Sequence, residues 1–118
     1  MQSKTFYRVN HIRTQQGLWY SEKGEFTGLI HDKFDFCQNT SLRMDYDPEI
    51  VEYVSVVESL DQLYAWFSKE DIVKLQTHGW YIHQYRSDDY KWYDRFKHYV
   101  MNQQSAKLIE NFIIYLKV

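Results

Sequence analysis

Aromatic side chains make up 19% of this chain, 11 Tyr, 7 Phe and 4 Trp among 118 residues, while Pro occurs once and Gly four times. Rings of that size fill a small interior quickly, and so few backbone breakers leave room for regular elements along most of the length. A chain this short supports one hydrophobic core. No internal repeat, low-complexity block or Gly/Ser/Pro-rich linker divides it, so residues 1–118 read as a single domain. Fourteen Lys and Arg face 16 Asp and Glu for a formal net charge of -2. Such a chain lacks the bulk positive field that draws proteins to nucleic acid or acidic membranes, and neither is expected as a partner.

The single cysteine, Cys37, has no second thiol for a disulfide or a zinc knuckle, which fits a reducing cytoplasm. Met1-Gln2-Ser3-Lys4 runs into a short aromatic stretch unlike a signal peptide, and the apolar run Phe112 to Leu116 is too short to span a bilayer. A cytoplasmic location is expected.

Aromatic and β-branched residues predict strands over Thr5–Val9, Gly17–Tyr20 and Glu25–Thr27, the last two joined by the turn Ser21–Gly24. Residues 29–46 show no clean period, and a short helix over His31–Phe36 followed by a long loop is the expectation. Past Asp47-Pro48, the alternation of Val51 to Val57 predicts a strand buried on both faces. Ser59 with Gln62 three residues on forms a capping box for a helix over Leu60–Phe67; Ser68-Lys69-Glu70-Asp71 restarts a second, which His78-Gly79 stops. Trp80–Tyr85 and His98–Met101 read as strands around the turn Ser87–Asp89. Ser105 caps a final helix whose stripe is Leu108, Ile109, Phe112, Ile113 and Leu116. The predicted fold is α+β, a mostly antiparallel sheet with a central helix pair and a C-terminal amphipathic helix that packs on the sheet or on a second copy of the chain.

Known catalytic and ligand motifs are absent. The five histidines, His11, His31, His78, His83 and His98, form no metal-ligand pair; His31 with Asp35 reads as a surface pair, and His83 and His98 fall on strands predicted to be neighbours. The glycines lack phosphate-loop spacing, no GxSxG elbow occurs, and Glu70-Asp71 answers a helix dipole. No catalytic residue, metal or cofactor is assigned.

Tyr7-Arg8 on the first strand and Ser55 on a later strand preceding a helix resemble the core of ADP-ribosyltransferases. There the resemblance implies an Arg on the dinucleotide phosphates and a Ser-containing strand under the pocket. The chain departs from that family at the third motif, because no Glu-x-Glu or Gln-x-Glu follows the late strand and Glu110 falls in the apolar C-terminal stretch. Separately, Gly17-Leu18-Trp19-Tyr20, Gly28-Leu29-Ile30-His31 and Leu63-Tyr64-Ala65-Trp66-Phe67 followed by His78-Gly79-Trp80 resemble small uncharacterised early proteins of T-even-like bacteriophages. That resemblance implies host takeover or defeat of a bacterial defence, by binding a host protein or a signalling nucleotide.

In the segment Asp89 to Phe96, rings alternate with ions of both signs, and burying all of it would bury unpaired charge. Tyr90, Lys91, Trp92, Tyr93, Arg95 and Phe96 are therefore the expected surface for a bacterial protein partner, bound stoichiometrically. The competing expectations are a small nucleotide held by Tyr7, Arg8, Trp19, Ser55 and Arg86, and a divergent enzyme of the kind that the ADP-ribosyltransferase resemblance implies. Homo-oligomerisation is expected through Leu108, Ile109, Phe112, Ile113 and Leu116.

Overall fold

A computed structural model of the chain describes residues 2–15, 17, 48–95 and 97–115. The strand expected at Gly17–Tyr20 beyond its first residue, the turn and strand at 21–27, the helix at His31–Phe36 and the loop around it lie outside the described residues. So do Trp19, Cys37, Phe96 and Leu116.

Among the described residues there are six strands and two helices: β1 (Lys4–His11), β2 (Tyr53–Val56), α1 (Leu60–Trp66), α2 (Lys69–Gln76), β3 (Trp80–Ser87), β4 (Tyr90–Tyr93), β5 (His98–Asn102) and β6 (Lys107–Phe112). The fold is α+β, with every strand pair antiparallel. One sheet has the order β1-β3-β6 and the other β2-β5-β4. They join where β2 leaves β5: Tyr7 and Val57 exchange backbone bonds of 2.8 and 3.1 Å.

The helix pair forms where its caps predict. Ser59 Oγ accepts from the Gln62 N–H at 3.2 Å and Ser68 Oγ from the Asp71 N–H at 3.1 Å, each satisfying a donor of the first turn. The Gln62 side chain closes the first box one residue early, accepting from the Glu58 N–H at 2.9 Å and not from the cap residue itself. Gly79 ends the second helix with φ at 90°, a region other residues resist. A Cβ there would also come within 2.8 Å of His11 Nε2, so the return into β3 needs glycine on two counts.

Alternation along the strands sorts the core into two layers. Val9 and Ile82 on one face of the first sheet meet Leu63, Phe67, Ile72 and Leu75 of the helices, together with Val57, Tyr93 and Val100. The other layer is smaller: Phe6, Val56, Tyr85 and Met101 are buried together, and Val54, Tyr90, Tyr99 and Ala106 pack against them. Ser55, Val56 and Val57 are all buried, so this strand is covered on both faces as its alternation predicts, although Val51 lies outside it and is exposed.

The C-terminal helix is replaced by a strand. β6 pairs antiparallel with β3, from Ile82↔Phe112 to Arg86↔Lys107. Its apolar positions fit a helical stripe or a strand about equally, and the open edge of β3 decides between them by accepting a ladder of backbone bonds, although only Phe112 of β6 is partly covered. Ser105 belongs to the turn that feeds this strand: its N–H bonds to Asn102 Oδ1 at 3.1 Å, and the Ala106 N–H to the Asn102 carbonyl at 3.2 Å. The single stripe therefore does not form. Leu108 stands opposite Tyr85 and Phe112 opposite Ile82, on opposite faces of the sheet, and Ile109 is the extra residue of a bulge.

Candidate functional site

Among the described strands β4 lies at the edge of its sheet, and its alternation divides the segment expected to form one surface. Tyr90 and Trp92 lie on the face of Tyr99 and Phe6. Tyr90 is half-buried, with its ring 5.2 Å from Phe6 and 5.9 Å from Tyr99. Tyr93, on the other face, is 8% exposed and sits 6.0 Å from the His98 ring. Lys91 lies along the sheet, donating to the Glu49 carbonyl at 2.9 Å with its ammonium 4.5 Å from the Tyr53 ring centre. Arg95 is exposed. Among the described residues of this segment, Trp92 is the large ring that stays outside: it is 50% exposed, edge-on to Tyr99 at 5.1 Å, with its indole N–H 3.3 Å from Asp94 Oδ1.

Trp92 stands at the mouth of a cleft of about 200 Å³ lined by Val56, Val57, Glu58, Gln62, Ala65, Trp66, Trp92, Lys97, His98 and Tyr99. The topology explains the opening. β2 follows β5 as far as Val56↔Tyr99 and then swings to β1 at Val57, so the two strands part and leave a wedge that α1 and the β4–β5 turn flank. Two ion pairs sit on its rim, Lys4 with Glu58 at 2.8 Å and Lys97 with Asp94 at 2.6 Å. The second pair, helped by the Trp92 indole, holds the Asp94 carboxyl below its usual range. At the back, His98 Nε2 is 2.9 Å from Ser55 Oγ and its ring meets Trp66 edge-on at 5.1 Å. Sequence reasoning found Trp92 but missed Trp66, Glu58 and Gln62, because Trp66 falls at helical spacing with the apolar residues of α1 and Gln62 reads as a capping residue. The position of Trp66 at the last turn of that helix was the available signal.

The proposed nucleotide residues divide between the two faces of the first sheet. Arg8 pairs with His83 and Thr5 with Arg86 across β1 and β3, so Arg8 lies on one face, while Tyr7 and the exposed Arg86 lie on the other. Arg8 is 3% exposed, its Nε donating to Asn10 Oδ1 and its Nη1 to the Ser55 carbonyl, both at 2.6 Å. Arg8 and Ser55 do come together, but through a structural bond that occupies the guanidinium. Tyr7 meets Phe112 edge-on at 6.5 Å. His83 and His98, expected on neighbouring strands, belong to different sheets, because β6 and not β5 takes the place beside β3.

A directed chain of side chains continues from Arg8. Asn10 Nδ2 donates to the Tyr85 hydroxyl at 2.8 Å, and that hydroxyl donates to Gln15 Oε1. Gln15 Nε2 lies 3.1 Å from His83 Nε2, and His83 Nδ1 lies 2.9 Å from the Tyr81 carbonyl. A carbonyl only accepts, so Nδ1 carries the ring proton, Nε2 accepts, and one set of amide orientations satisfies every link. Burial pushes the His83 ring below its ordinary range, partly opposed by the Tyr81 carbonyl and then reinforced by the Arg8 and His11 charges. The Tyr85 hydroxyl is pushed up, again chiefly by burial.

Among the described residues no group of three or more His, Cys, Asp or Glu side chains is placed to hold a metal ion, and no helix is long and apolar enough to cross a membrane. No protein-family model, curated protein or solved structure matches the chain.

Proposed function

We propose that this protein acts in the bacterial cytoplasm by stoichiometric binding of a bacterial protein, as a phage-type takeover or anti-defence factor. In this reading the partner inserts one side chain into the cleft beside Trp92. The observation that carries the binding reading is the half-exposed Trp92 lining that cleft, on the outermost described strand of its sheet. Trp, Tyr and Arg dominate interface energetics when they surround a pocket that excludes water. Size favours a side chain over a cofactor, because small-molecule sites run to about 300–1,000 Å³ and this one holds about 200 Å³. Charge favours a neutral ring or aliphatic group: each rim ion already has an opposite neighbour, Lys4 with Glu58 and Lys97 with Asp94. The role in takeover or defence rests on the resemblance to phage early proteins.

A small nucleotide remains the alternative, with its base in the cleft. It has less support, since the buried Arg8 guanidinium is engaged by Asn10 and Ser55 and Arg86 is on the opposite face of the sheet. Self-association through residues 107–113 also has less support. It would use the edge of β6, where the bulge at Ile109 flanked by Lys107 and Glu110 is the kind of feature that blunts strand pairing.

Affinity capture from bacterial lysate tests the reading. The wild-type chain is expected to retain one dominant protein in equimolar amount. Trp92→Ala should weaken that complex by about 30-fold, the effect of losing a hot spot worth about 2 kcal/mol. Tyr115→Ala, which removes a ring that is 81% exposed elsewhere, should leave it intact. Equal capture by wild type and Trp92→Ala refutes the assignment, and a large thermal shift with a nucleotide in place of protein capture favours the alternative.

A further inference from the structure

We infer that the chain of hydrogen bonds from Arg8 to His83 is a proton-sensitive latch, which holds the turn after β1 on the first sheet and lets it go when His83 takes up a second proton. A doubly protonated His83 presents N–H at Nε2 to the Gln15 amino group, donor against donor. Gln15 can accept from it by turning its amide over, but the amino group then faces the Tyr85 hydroxyl, whose proton must swing toward Asn10. Asn10 presents its own amino group there, at 2.8 Å, and cannot turn, because its carbonyl oxygen is held at 2.6 Å by the permanently charged Arg8. The reversal therefore stops at Asn10 and leaves two donors in opposition in a buried site, where unmade bonds are most costly.

Gln15 is the link that can leave. Its backbone has φ at 60°, in the left-handed region that glutamine disfavours, so its conformation depends on its attachments. Those attachments are the two amide bonds of the chain, a longer bond of 3.4 Å from its own Nε2 to the Ile12 carbonyl, and the bond of 2.8 Å from Gln103 Nε2 to its carbonyl. The turn is otherwise tied by the Gln15 N–H to the His11 carbonyl at 2.8 Å, the Ile12 N–H to the Gly79 carbonyl at 2.9 Å and the Arg13 N–H to His11 Nδ1 at 3.1 Å, so a release that follows His11 and not His83 counts against the latch.

The titratable and charged groups that act on His83 among the described residues are Arg8 and His11 from β1, and its β3 neighbour Tyr85 stacks on it at 6.1 Å. From β6 it faces the uncharged Asn111. Burial disfavours the charged ring first, and both charges acting on it are or become positive, so the latch stays shut at neutral pH and opens on acidification below the ordinary histidine range.

The test uses nuclear magnetic resonance on the full chain. Between neutral and acid pH, the ring nitrogens of His83 are expected to report Nδ1–H at the start and to titrate below the free-histidine value of 6.5. Amide exchange at residues 12–15 should accelerate by about tenfold or more at the same midpoint while Ile82 and Tyr85 stay protected. In Gln15→Glu a carboxylate accepts from Tyr85 and His83 together, so the midpoint should rise by about one pH unit or more. Unchanged exchange in the turn across the His83 titration overturns the latch. Simultaneous loss of turn and β3 protection overturns it too, since that is global unfolding driven by any buried histidine. A Gln15→Glu midpoint at or below the wild-type value has the same consequence, and if that variant does not fold, the wild-type exchange experiment decides alone.

Discussion

A single added methyl group tests how tightly the interior is organised around Arg8. In Gly17→Ala the new Cβ would lie 2.0 Å from Arg8 Nη2 and 3.1 Å from its Cζ, well inside contact distance. An arginine tip normally yields cheaply, but this one is buried and held by two bonds of 2.6 Å, to Asn10 Oδ1 and the Ser55 carbonyl. Moving the guanidinium breaks charge-assisted bonds worth about 1.5–3 kcal/mol each and strands their buried acceptors, so a loss of about 2–4 kcal/mol is expected. For a domain of this length that is a fall in Tm of about 8–16 °C. Thermal and urea unfolding measure it, and the decisive comparison is a cycle with Arg8→Met. With the guanidinium gone, the methyl has less to displace, and Gly17→Ala should then cost under about 1 kcal/mol. Equal costs in the two backgrounds, or no cost in wild type, would refute the claim that Gly17 exists to make room for Arg8.

Three further outcomes are expected. Ser59→Ala and Ser68→Ala should each destabilise by about 1 kcal/mol in urea titrations, because each removes the acceptor of a first-turn N–H. Trp92→Ala should change stability by less than about 1 kcal/mol despite its effect on partner capture, since half the ring already faces solvent. Tyr85 has its hydroxyl raised above 10 in the folded chain, so between 10 and that higher value the folded state binds the proton that the unfolded state has lost. Its contribution to stability is present below pH 10 and fades as pH rises through the folded value, and alkaline unfolding should be less steep in Tyr85→Phe.

The residues that form the cleft and the chain from Arg8 to His83 are far apart in sequence, and that separation explains what was and was not legible. The helix pair could be read from the letters because its determinants are local: Ser59, Ser68 and Gly79 each act within one turn of backbone, and the apolar residues of α1 and α2 recur at the helical period. The strands β1, β2, β3 and β5 were legible for the same reason, through alternation and β-branched or aromatic content. The exposure of Trp92 also followed from local chemistry, since a run of rings interleaved with ions cannot all be buried. Tertiary structure alone decided the rest. Residues 107–112 have a pattern that suits either helix or strand, and the vacant edge of β3 settled it. Arg8 looked like a phosphate ligand until the joining of the two sheets at Tyr7 and Val57 placed the Ser55 carbonyl against it, beside Asn10 of its own strand. The cleft exists because β2 changes partners between Val56 and Val57, and a change of partner is a property of three strands that no single segment encodes.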